Sequence, residues 1–374
     1  MKLLAKTFEG LEEVLATEIE AIGGTNIKKL TRAVSFEGDK KLMYTANYML
    51  RTAIKILEVR KEFYTYDVDD LYRKMYKFPW DQIISLKDTF AVDATTSGET
   101  FTHSKFTALK TKDAIVDKIR SIKGERPNVN VITPTHRINV HIRDTTATVS
   151  FDTTGDSLHL RGYRITAVDA PLNEALAAGL VLLSGWDKRS TLVDPMCGSA
   201  TILIEADRIA RNVPPQKADR VFCFKKWKDF DEDLWSEVVQ EQEQKIIDGP
   251  AILGFDKNLR AVKVSQQNID EARCTDTITI EKRDFFKSEG HENAMIITNP
   301  PYDMRLKETD IEKYYKSIGD QLKKQYINST AWIFSGNVEA LKSVGLKPSR
   351  RIHLMNGGIE AKFYKFEMYA GTKN

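Results

Sequence analysis

The sequence contains little cysteine: Cys197, Cys223 and Cys274 are widely spaced along 374 residues and form no Cys-x-x-Cys pair. This spacing gives no indication of a disulfide framework or a cysteine zinc site, so we expect reduced thiols. The six histidines also lack a His-x-x-x-His or similar ligand spacing. We therefore expect no metal site.

Long apolar runs are absent as well, since no stretch approaches the roughly 20 apolar residues that cross a bilayer. The first ten residues contain no apolar signal core, so the expected location is cytoplasmic. The net charge of +3 is too small to identify a nucleic-acid-binding protein by itself. A length of 374 residues is typical of more than one domain.

Two small α+β units are predicted in the N-terminal part of the chain. In the first, over residues 1–65, apolar residues at helical spacing end at Gly23-Gly24, and a further helix and a strand follow. In the second, over residues 66–155, a long helix ends at Gly124. Strict alternation on both sides of Arg143-Asp144-Thr145 then predicts a β-hairpin.

Basic residues are concentrated in and just after the second unit. From Phe101 to Arg164 there are eleven Lys or Arg against six Asp or Glu, an excess of +5. Such an excess is usually only a solvated face. A surface that follows the phosphates of a nucleic acid is the alternative.

Five apolar runs after residue 190 are each followed by a polar residue at the point where the predicted strand ends. This rhythm predicts an α/β domain with a mostly parallel, doubly wound sheet, and its last part resembles an antiparallel hairpin around Asn356-Gly357-Gly358. Ligand-binding groups then belong at the carboxyl ends of the strands. The polar residues are Asp194, Asp256, Asp284, Asn299 and Ser335.

A turn of small residues follows the first of these strands. It permits close approach of a ligand to the backbone, and the next helix begins there with free N–H groups. A phosphate-binding P-loop is disfavoured because no Gly-Lys-Ser/Thr follows, and a glycine needed only for the turn is the structural alternative. The turn consists of Asp194, Pro195, Met196, Cys197, Gly198, Ser199, Ala200 and Thr201.

Carboxylates end the next two strands. Asp256, followed by Lys257, is placed to accept hydrogen bonds from ribose hydroxyls, although an aspartate before a helix can also be its cap. Asp284 can accept the amine of an adenine while Phe285 lies on its ring. The alternative is a loop aspartate beside core phenylalanines.

The fourth strand is followed by Asn299-Pro300-Pro301-Tyr302. The Asn299 amide oxygen and a proline-fixed carbonyl can accept the two N–H groups of a planar amine, and Tyr302 can stack on the base that carries this amine. An ordinary proline turn is the alternative.

The combined pattern resembles the class I S-adenosylmethionine-dependent methyltransferases. Within them it is similar to the THUMP-containing RNA guanine-N2 methyltransferases, with the short form of the large-subunit ribosomal RNA enzymes as the nearest match. The motifs that carry the likeness are the turn at Asp194, Asn299 to Tyr302 with Arg305-Leu306, Leu160 to Arg164, and Ala170 to Glu174.

The resemblance implies a ferredoxin-like domain over 1–65, a THUMP domain over 66–155 and a Rossmann-like methyltransferase domain over 156–374 with an insertion at about 208–249. It implies S-adenosylmethionine as cofactor, held by residues 194–201, Asp256, Lys257, Asp284 and Phe285. Asn299 to Tyr302 would be catalytic. The implied partner is RNA, with ribosomal RNA favoured and transfer RNA possible, and no membrane or metal. The residues expected to contact RNA are Lys105, Lys110, Lys112, Arg161, Arg164, Lys225 and Lys226.

Two positions depart from the family pattern: Ala200 stands where glycine is usual, and Asp303-Met304 where Gly-Glu is usual. Three other functions stay open from the residues. They are methylation of guanine N2 in transfer RNA, methylation of adenine N6 in DNA, and a non-catalytic role in RNA binding or ribosome assembly.

Overall fold

The chain is organised around an eight-stranded and a seven-stranded β-sheet. A computed structural model of the protein describes residues 1–166, 171–301 and 308–370, with the side chains of residues 308 and 309 left out. The strands are β1 Lys2–Lys6, β2 Thr25–Leu30, β3 Ala33–Glu37, β4 Lys55–Tyr64, β5 Thr89–Ser97, β6 Asn128–Val129, β7 His136–Arg143, β8 Thr146–Asp152, β9 Leu192–Asp194, β10 Ile252–Asp256, β11 Ile278–Lys282, β12 Met295–Thr298, β13 Thr330–Ser335, β14 Arg350–Asn356 and β15 Ile359–Glu367.

Helices connect most of these strands. They are α1 Glu12–Ala21, α2 Lys40–Met49, α3 Val68–Tyr76, α4 Trp80–Ile83, α5 Ser104–Lys123, α6 Glu174–Ser184, α7 Thr201–Ala210, α8 Glu232–Glu243, α9 Leu259–Ala272, α10 Glu308–Gln325 and α11 Val338–Lys342. A 3₁₀ turn spans Cys223–Lys226. No helix in the described ranges is long and apolar enough to cross a membrane.

The two small α+β units share the first sheet, whose strand order is β2-β3-β1-β4-β8-β7-β5-β6. They meet where β4 pairs antiparallel with β8, from Leu57 opposite Asp152 to Tyr64 opposite Thr146. The predicted hairpin is confirmed, with Arg143 opposite Thr146. The predicted end of the long helix is also confirmed, since Gly124 follows α5 in the left-handed conformation at φ +78°.

The second sheet has the order β11-β10-β9-β12-β13-β15-β14. Neighbours from β11 to β13 are parallel, and β15 and β14 add an antiparallel edge. This confirms the predicted Rossmann-like sheet with its terminal hairpin. Asp194 and Asp256 are the last residues of β9 and β10, and Asn299 directly follows β12, so these three polar residues lie at the carboxyl edge of the sheet.

The insertion at 208–249 packs on the N-terminal unit. Phe222, Phe224 and Trp235 are buried in the same core as Tyr44 of α2, and the rings of Tyr44 and Phe224 stack with centroids 4.5 Å apart. Burial of such aromatic rings contributes strongly to packing. These aromatics therefore join two parts of the chain.

Candidate active site

Asp194 holds the end of β9 against the end of β12. The carboxylate is buried, and its Oδ1 atom accepts hydrogen bonds from the Met196 backbone N–H at 3.1 Å and from the Thr298 hydroxyl at 2.8 Å. Burial raises the pKa of Asp194 to about 7, although the hydrogen bonds from Thr298 and Met196 oppose the rise. In this arrangement Asp194 positions the turn that follows it.

The turn after Asp194 is attached to the neighbouring strand and helix. The Cys197 N–H donates to the Phe255 carbonyl at 2.9 Å, the Gly198 N–H donates to Asp256 Oδ2 at 3.1 Å, and the Ser265 hydroxyl donates to the Gly198 carbonyl at 2.8 Å. Gly198 has φ +57°, a conformation that glycine adopts without a steric cost. The turn therefore has a defined shape at the start of α7.

Ala200 adopts a left-handed conformation, with φ +63° immediately before α7. This region costs an L-residue about 1–2 kcal/mol. The structure thus gives the reason why glycine is usual at this position, and the departure seen in the sequence is a residue with backbone strain. The Ala200 methyl is fully buried, so its packing offsets part of that cost.

Arg164 lies beside this turn. Its Nη2 atom donates to the Thr201 hydroxyl at 3.0 Å and to the Leu172 carbonyl at 2.6 Å, and it is 3.4 Å from Glu174 Oε1. The Arg164 guanidinium is therefore engaged at the start of α7, and its expected contact with RNA stays a prediction. The sequence alone gives no role to Glu174, and only its place in the motif Ala170 to Glu174 singles it out. Burial raises the pKa of Glu174.

Another residue that the sequence did not identify is Asn268 of α9. Its Nδ2 atom donates to the Ser199 carbonyl at 3.1 Å, while the Ser199 hydroxyl is 3.2 Å from the Thr201 hydroxyl. Helical spacing alone gives Asn268 no distinguishing feature. Together with Ser265 it fixes the turn from the side of α9.

Asp256 does not cap the following helix. Asn258 is the cap of α9, accepting from the Arg260 N–H at 2.9 Å. Asp256 instead accepts from Gly198 and, at 2.8 Å, from the Asn258 N–H, and it remains partly exposed at the sheet edge. Lys257 is exposed beside it.

Asp284 and Phe285 are in different environments. Asp284 is partly exposed and accepts from the Phe286 N–H at 3.1 Å. The Phe285 ring is buried and packs against Phe286 and Tyr326, with centroid distances of 5.2 and 5.8 Å. The Phe285 ring therefore has the core environment of the structural alternative, and its expected contact with an adenine stays a prediction.

Asn299 carries a buried amide oxygen with no hydrogen-bond partner among the described residues. Leaving such an acceptor unpaired costs about 1–3 kcal/mol, so this atom is available to a ligand donor. Pro300 is buried and Pro301 exposed. Tyr302 and the departure at Asp303-Met304 lie outside the described residues.

These groups fit a nucleoside cofactor at the carboxyl edge of the sheet. Two partly exposed carboxylates, a turn of small residues at a helix start and an unpaired amide oxygen lie at the ends of four neighbouring strands. In contrast, the described part of the chain holds no group of three or more His, Cys, Asp or Glu that could bind a metal ion.

Arg161, expected to contact RNA, is buried in the interior with its side chain fully covered. Its Nη1 atom donates to the Leu158 carbonyl at 2.5 Å and its Nη2 atom to the Arg51 carbonyl. Its Nε atom is 3.5 Å from Glu205 Oε1. The prediction that Arg161 contacts RNA is wrong, because the guanidinium links the N-terminal unit to α7.

The predicted RNA-contacting lysines differ in exposure. Lys105 and Lys226 are exposed, whereas Lys225 donates to the Ala218 carbonyl at 2.8 Å and lies over the Trp235 ring. Lys110 is 3.5 Å from Asp69, and Lys112 is 2.8 Å from Asp113. Three of these five lysines are therefore already engaged with carboxylates or an aromatic ring.

Comparison with known proteins gives the same domain series. The RMKL-like methyltransferase domain matches residues 161–365, the THUMP domain matches 65–152, and the RlmL ferredoxin-like domain matches 2–57. A putative RNA methyltransferase from Synechocystis sp. is 35% identical over 98% of this chain and 96% of its own length.

A ribosomal RNA large subunit methyltransferase K/L from Aliivibrio salmonicida is 36% identical over 96% of this chain. The chain spans about half the length of that relative, 52%. Among solved structures, SMU.472, a putative methyltransferase complexed with SAH, has a TM-score of 0.88 and 27% identity, with 99% of both chains covered. The chain belongs to the RMKL-like methyltransferase family.

Proposed function

We propose that this protein transfers a methyl group from S-adenosylmethionine to the exocyclic N2 of a guanine in RNA, with ribosomal RNA as the favoured substrate. The observation that carries the proposal is the buried, unpaired amide oxygen of Asn299 directly after β12. It lies next to the turn that Asp194 holds through Thr298. The THUMP match and the names of the relatives support RNA as the substrate.

Different residues of the chain would hold different parts of the cofactor. The turn around Gly198 and the start of α7 are suited to its amino-acid end, Asp256 to the ribose hydroxyls and Asp284 to the adenine amine. When bound, S-adenosylmethionine supplies a methyl group whose C–S bond breaks as a new C–N bond forms. Asp256 keeps its carboxylate partly exposed, which leaves lone pairs for hydroxyl donors.

Asn299 and Pro300 act on the acceptor amine. Asn299 Oδ1 accepts one N–H of the guanine 2-amino group, and the Pro300 carbonyl can accept the other, so the nitrogen is held with its lone pair turned towards the methyl group. These oxygens also stabilise the positive charge that develops on the nitrogen. The proton that the nitrogen loses passes to water, and no strong base is required.

The reaction is tested by incubating the purified protein and S-adenosylmethionine separately with RNA and with DNA from a strain that lacks the gene, followed by nucleoside mass spectrometry. The expected result is a gain of N2-methylguanosine in large-subunit ribosomal RNA. A gain only in transfer RNA would change the substrate, and N6-methyladenine in DNA would change the base and the nucleic acid. Cofactor binding with no transfer to any of them would favour the non-catalytic role.

The role of Asn299 is tested by Asn299→Ala. We expect transfer to fall by at least 100-fold while the affinity for S-adenosylmethionine stays within about three-fold, because the lost acceptor serves the amine. Asn299→Asp keeps an acceptor oxygen and is the matched control for side-chain volume. A loss of cofactor affinity in Asn299→Ala equal to the loss of transfer would mean that Asn299 is mainly a cofactor ligand.

A further inference from the structure

A largely buried ion pair lies beside the start of α7, next to the turn around Gly198. Arg164 Nη2 is 3.4 Å from Glu174 Oε1 and donates to the Thr201 hydroxyl at 3.0 Å. Glu174 is the first residue of α6, and Thr201 is the first residue of α7. One guanidinium therefore joins the starts of two helices.

Each member of the pair keeps a polar atom unused. The Nε atom of Arg164 and the Oε2 atom of Glu174 are buried and have no hydrogen-bond partner among the described residues. The Arg164 side chain is 18% exposed and the Glu174 side chain 4% exposed, so the pair is mostly covered but not sealed. Because buried polar groups are nearly always hydrogen-bonded, one unused donor and one unused acceptor on adjacent side chains indicate a polar ligand.

The start of α7 is suited to an anion. Its cap residue, Ala200, has no side chain that accepts a hydrogen bond from the helix, and the first N–H groups of an α-helix have no partner within it. These N–H groups and the positive end of the helix dipole attract a carboxylate. Arg164 adds a full positive charge at the same place, and a bound anion relieves the repulsion between the two.

Glu174 supplies the opposite charge beside this anion site. Burial raises the pKa of its carboxyl group, whereas the charge of Arg164 lowers it. A bound cation acts in the same direction as Arg164 and favours the ionised carboxylate. The two side chains thus offer one positive and one negative group to a single small ligand group, and an α-amino acid carries the complementary carboxylate and ammonium on one carbon.

We propose that Arg164 and Glu174 recognise the amino-acid end of S-adenosylmethionine. The Arg164 guanidinium, the Thr201 hydroxyl and the first N–H groups of α7 bind the carboxylate, and the Glu174 carboxylate binds the ammonium group. The inference rests on the proposed function only in the identity of the cofactor, whichever base receives the methyl group. The pair thereby selects this cofactor against adenosine compounds that lack an amino-acid end.

The test uses three thioethers that share the adenosine part and differ at the other end. S-adenosylhomocysteine carries a carboxylate and an ammonium group, S-adenosyl-3-thiopropylamine carries the ammonium group alone, and 5′-methylthioadenosine carries neither. Calorimetry without RNA gives the Kd of each ligand for the unmodified protein and for the variants Arg164→Met and Glu174→Gln.

Arg164→Met should weaken S-adenosylhomocysteine binding about 10-fold or more, since charge-assisted hydrogen bonds are lost. It should weaken the other two ligands by less than about three-fold, because neither has a carboxylate. Glu174→Gln should weaken both ligands that carry the ammonium group by about five-fold or more and leave 5′-methylthioadenosine within about three-fold. Arg164→Lys keeps the charge and should recover part of the S-adenosylhomocysteine affinity.

The matched controls are two ion pairs of the first sheet with similar burial. The Arg137 side chain is 19% exposed and lies 2.9 Å from Asp93, and the Glu58 side chain is 8% exposed and lies 2.6 Å from Arg60. Arg137→Met and Glu58→Gln should leave all three Kd values within about two-fold, as expected for residues without a ligand contact. Thermal melting without ligand shows whether each variant is folded.

Equal weakening of all three ligands by Arg164→Met and Glu174→Gln would overturn the inference, because the pair would then only support the fold of the site. Unchanged S-adenosylhomocysteine affinity would overturn it as well, and a simultaneous loss of RNA affinity in Arg164→Met would identify this residue as the RNA contact that the sequence predicts. The proposed function fails separately: no methyl transfer to RNA by the unmodified protein refutes that function and does not alter these Kd values.

Discussion

Replacing Arg161 with alanine distinguishes its structural role from the role that the sequence predicted. The substitution removes hydrogen bonds to the Leu158 and Arg51 carbonyls and leaves Glu205, which is fully buried, without its cation. Breaking a buried pair by removing one partner costs about 3–5 kcal/mol. The Tyr163 hydroxyl still donates to Glu205 at 2.9 Å, so we expect a loss of about 3–5 kcal/mol and not more.

The assay is urea unfolding followed by circular dichroism and tryptophan fluorescence, with coincident transitions required before a free energy of unfolding is calculated. The control is Arg126→Ala, an exposed arginine of the same basic segment, which should change the free energy of unfolding by less than about 0.5 kcal/mol. The double variant Arg161→Met/Glu205→Gln should be less destabilised than the sum of the single variants, because it removes both buried charges.

A loss below about 1 kcal/mol for Arg161→Ala would refute this reasoning. If that small loss came with a large fall in RNA affinity and a lower salt slope, Arg161 would be an RNA contact after all. If stability fell as expected while the remaining folded protein bound RNA normally, Arg161 would be a link between the N-terminal unit and α7.

Two further predictions concern stability. The folded-state pKa of Asp194, about 7, lies above its ordinary value of 3.8. The contribution of this carboxyl group to the free energy of unfolding is therefore complete below about pH 4 and is lost as the pH rises through 7. Between pH 5.5 and 8, Asp194→Asn should have a free energy of unfolding on the order of 1–4 kcal/mol higher than that of the unmodified protein, measured by urea unfolding. A pH-independent difference would contradict this. A β-carbon at Gly319 would lie 1.8 Å from the Val344 carbonyl oxygen, so Gly319→Ala should destabilise by about 1–3 kcal/mol in thermal unfolding, whereas Gly358→Ala, with no atom within 4 Å, should be nearly neutral.

Much of the candidate site could be predicted from local sequence. Each apolar run of the parallel sheet ends in a polar residue, and strand polarity then places Asp194, Asp256 and Asn299 at one edge. In contrast, β1 was not predicted. Its five residues include two lysines, and only the burial of Leu3 and Ala5 reveals the alternation.

The sequence by itself determined the succession of two small α+β units and a Rossmann-like sheet, and the composition of that sheet's carboxyl edge, because alternation, helix ends and strand-end residues are properties of neighbouring positions. Only the tertiary structure decided that Arg161 is internal and that Phe285 belongs to the core. It also decided that the two N-terminal units form one sheet. Burial and charge compensation depend on residues distant in the chain, such as Glu205 for Arg161, and a run of basic residues looks the same whether its cations face solvent or an interior carboxylate.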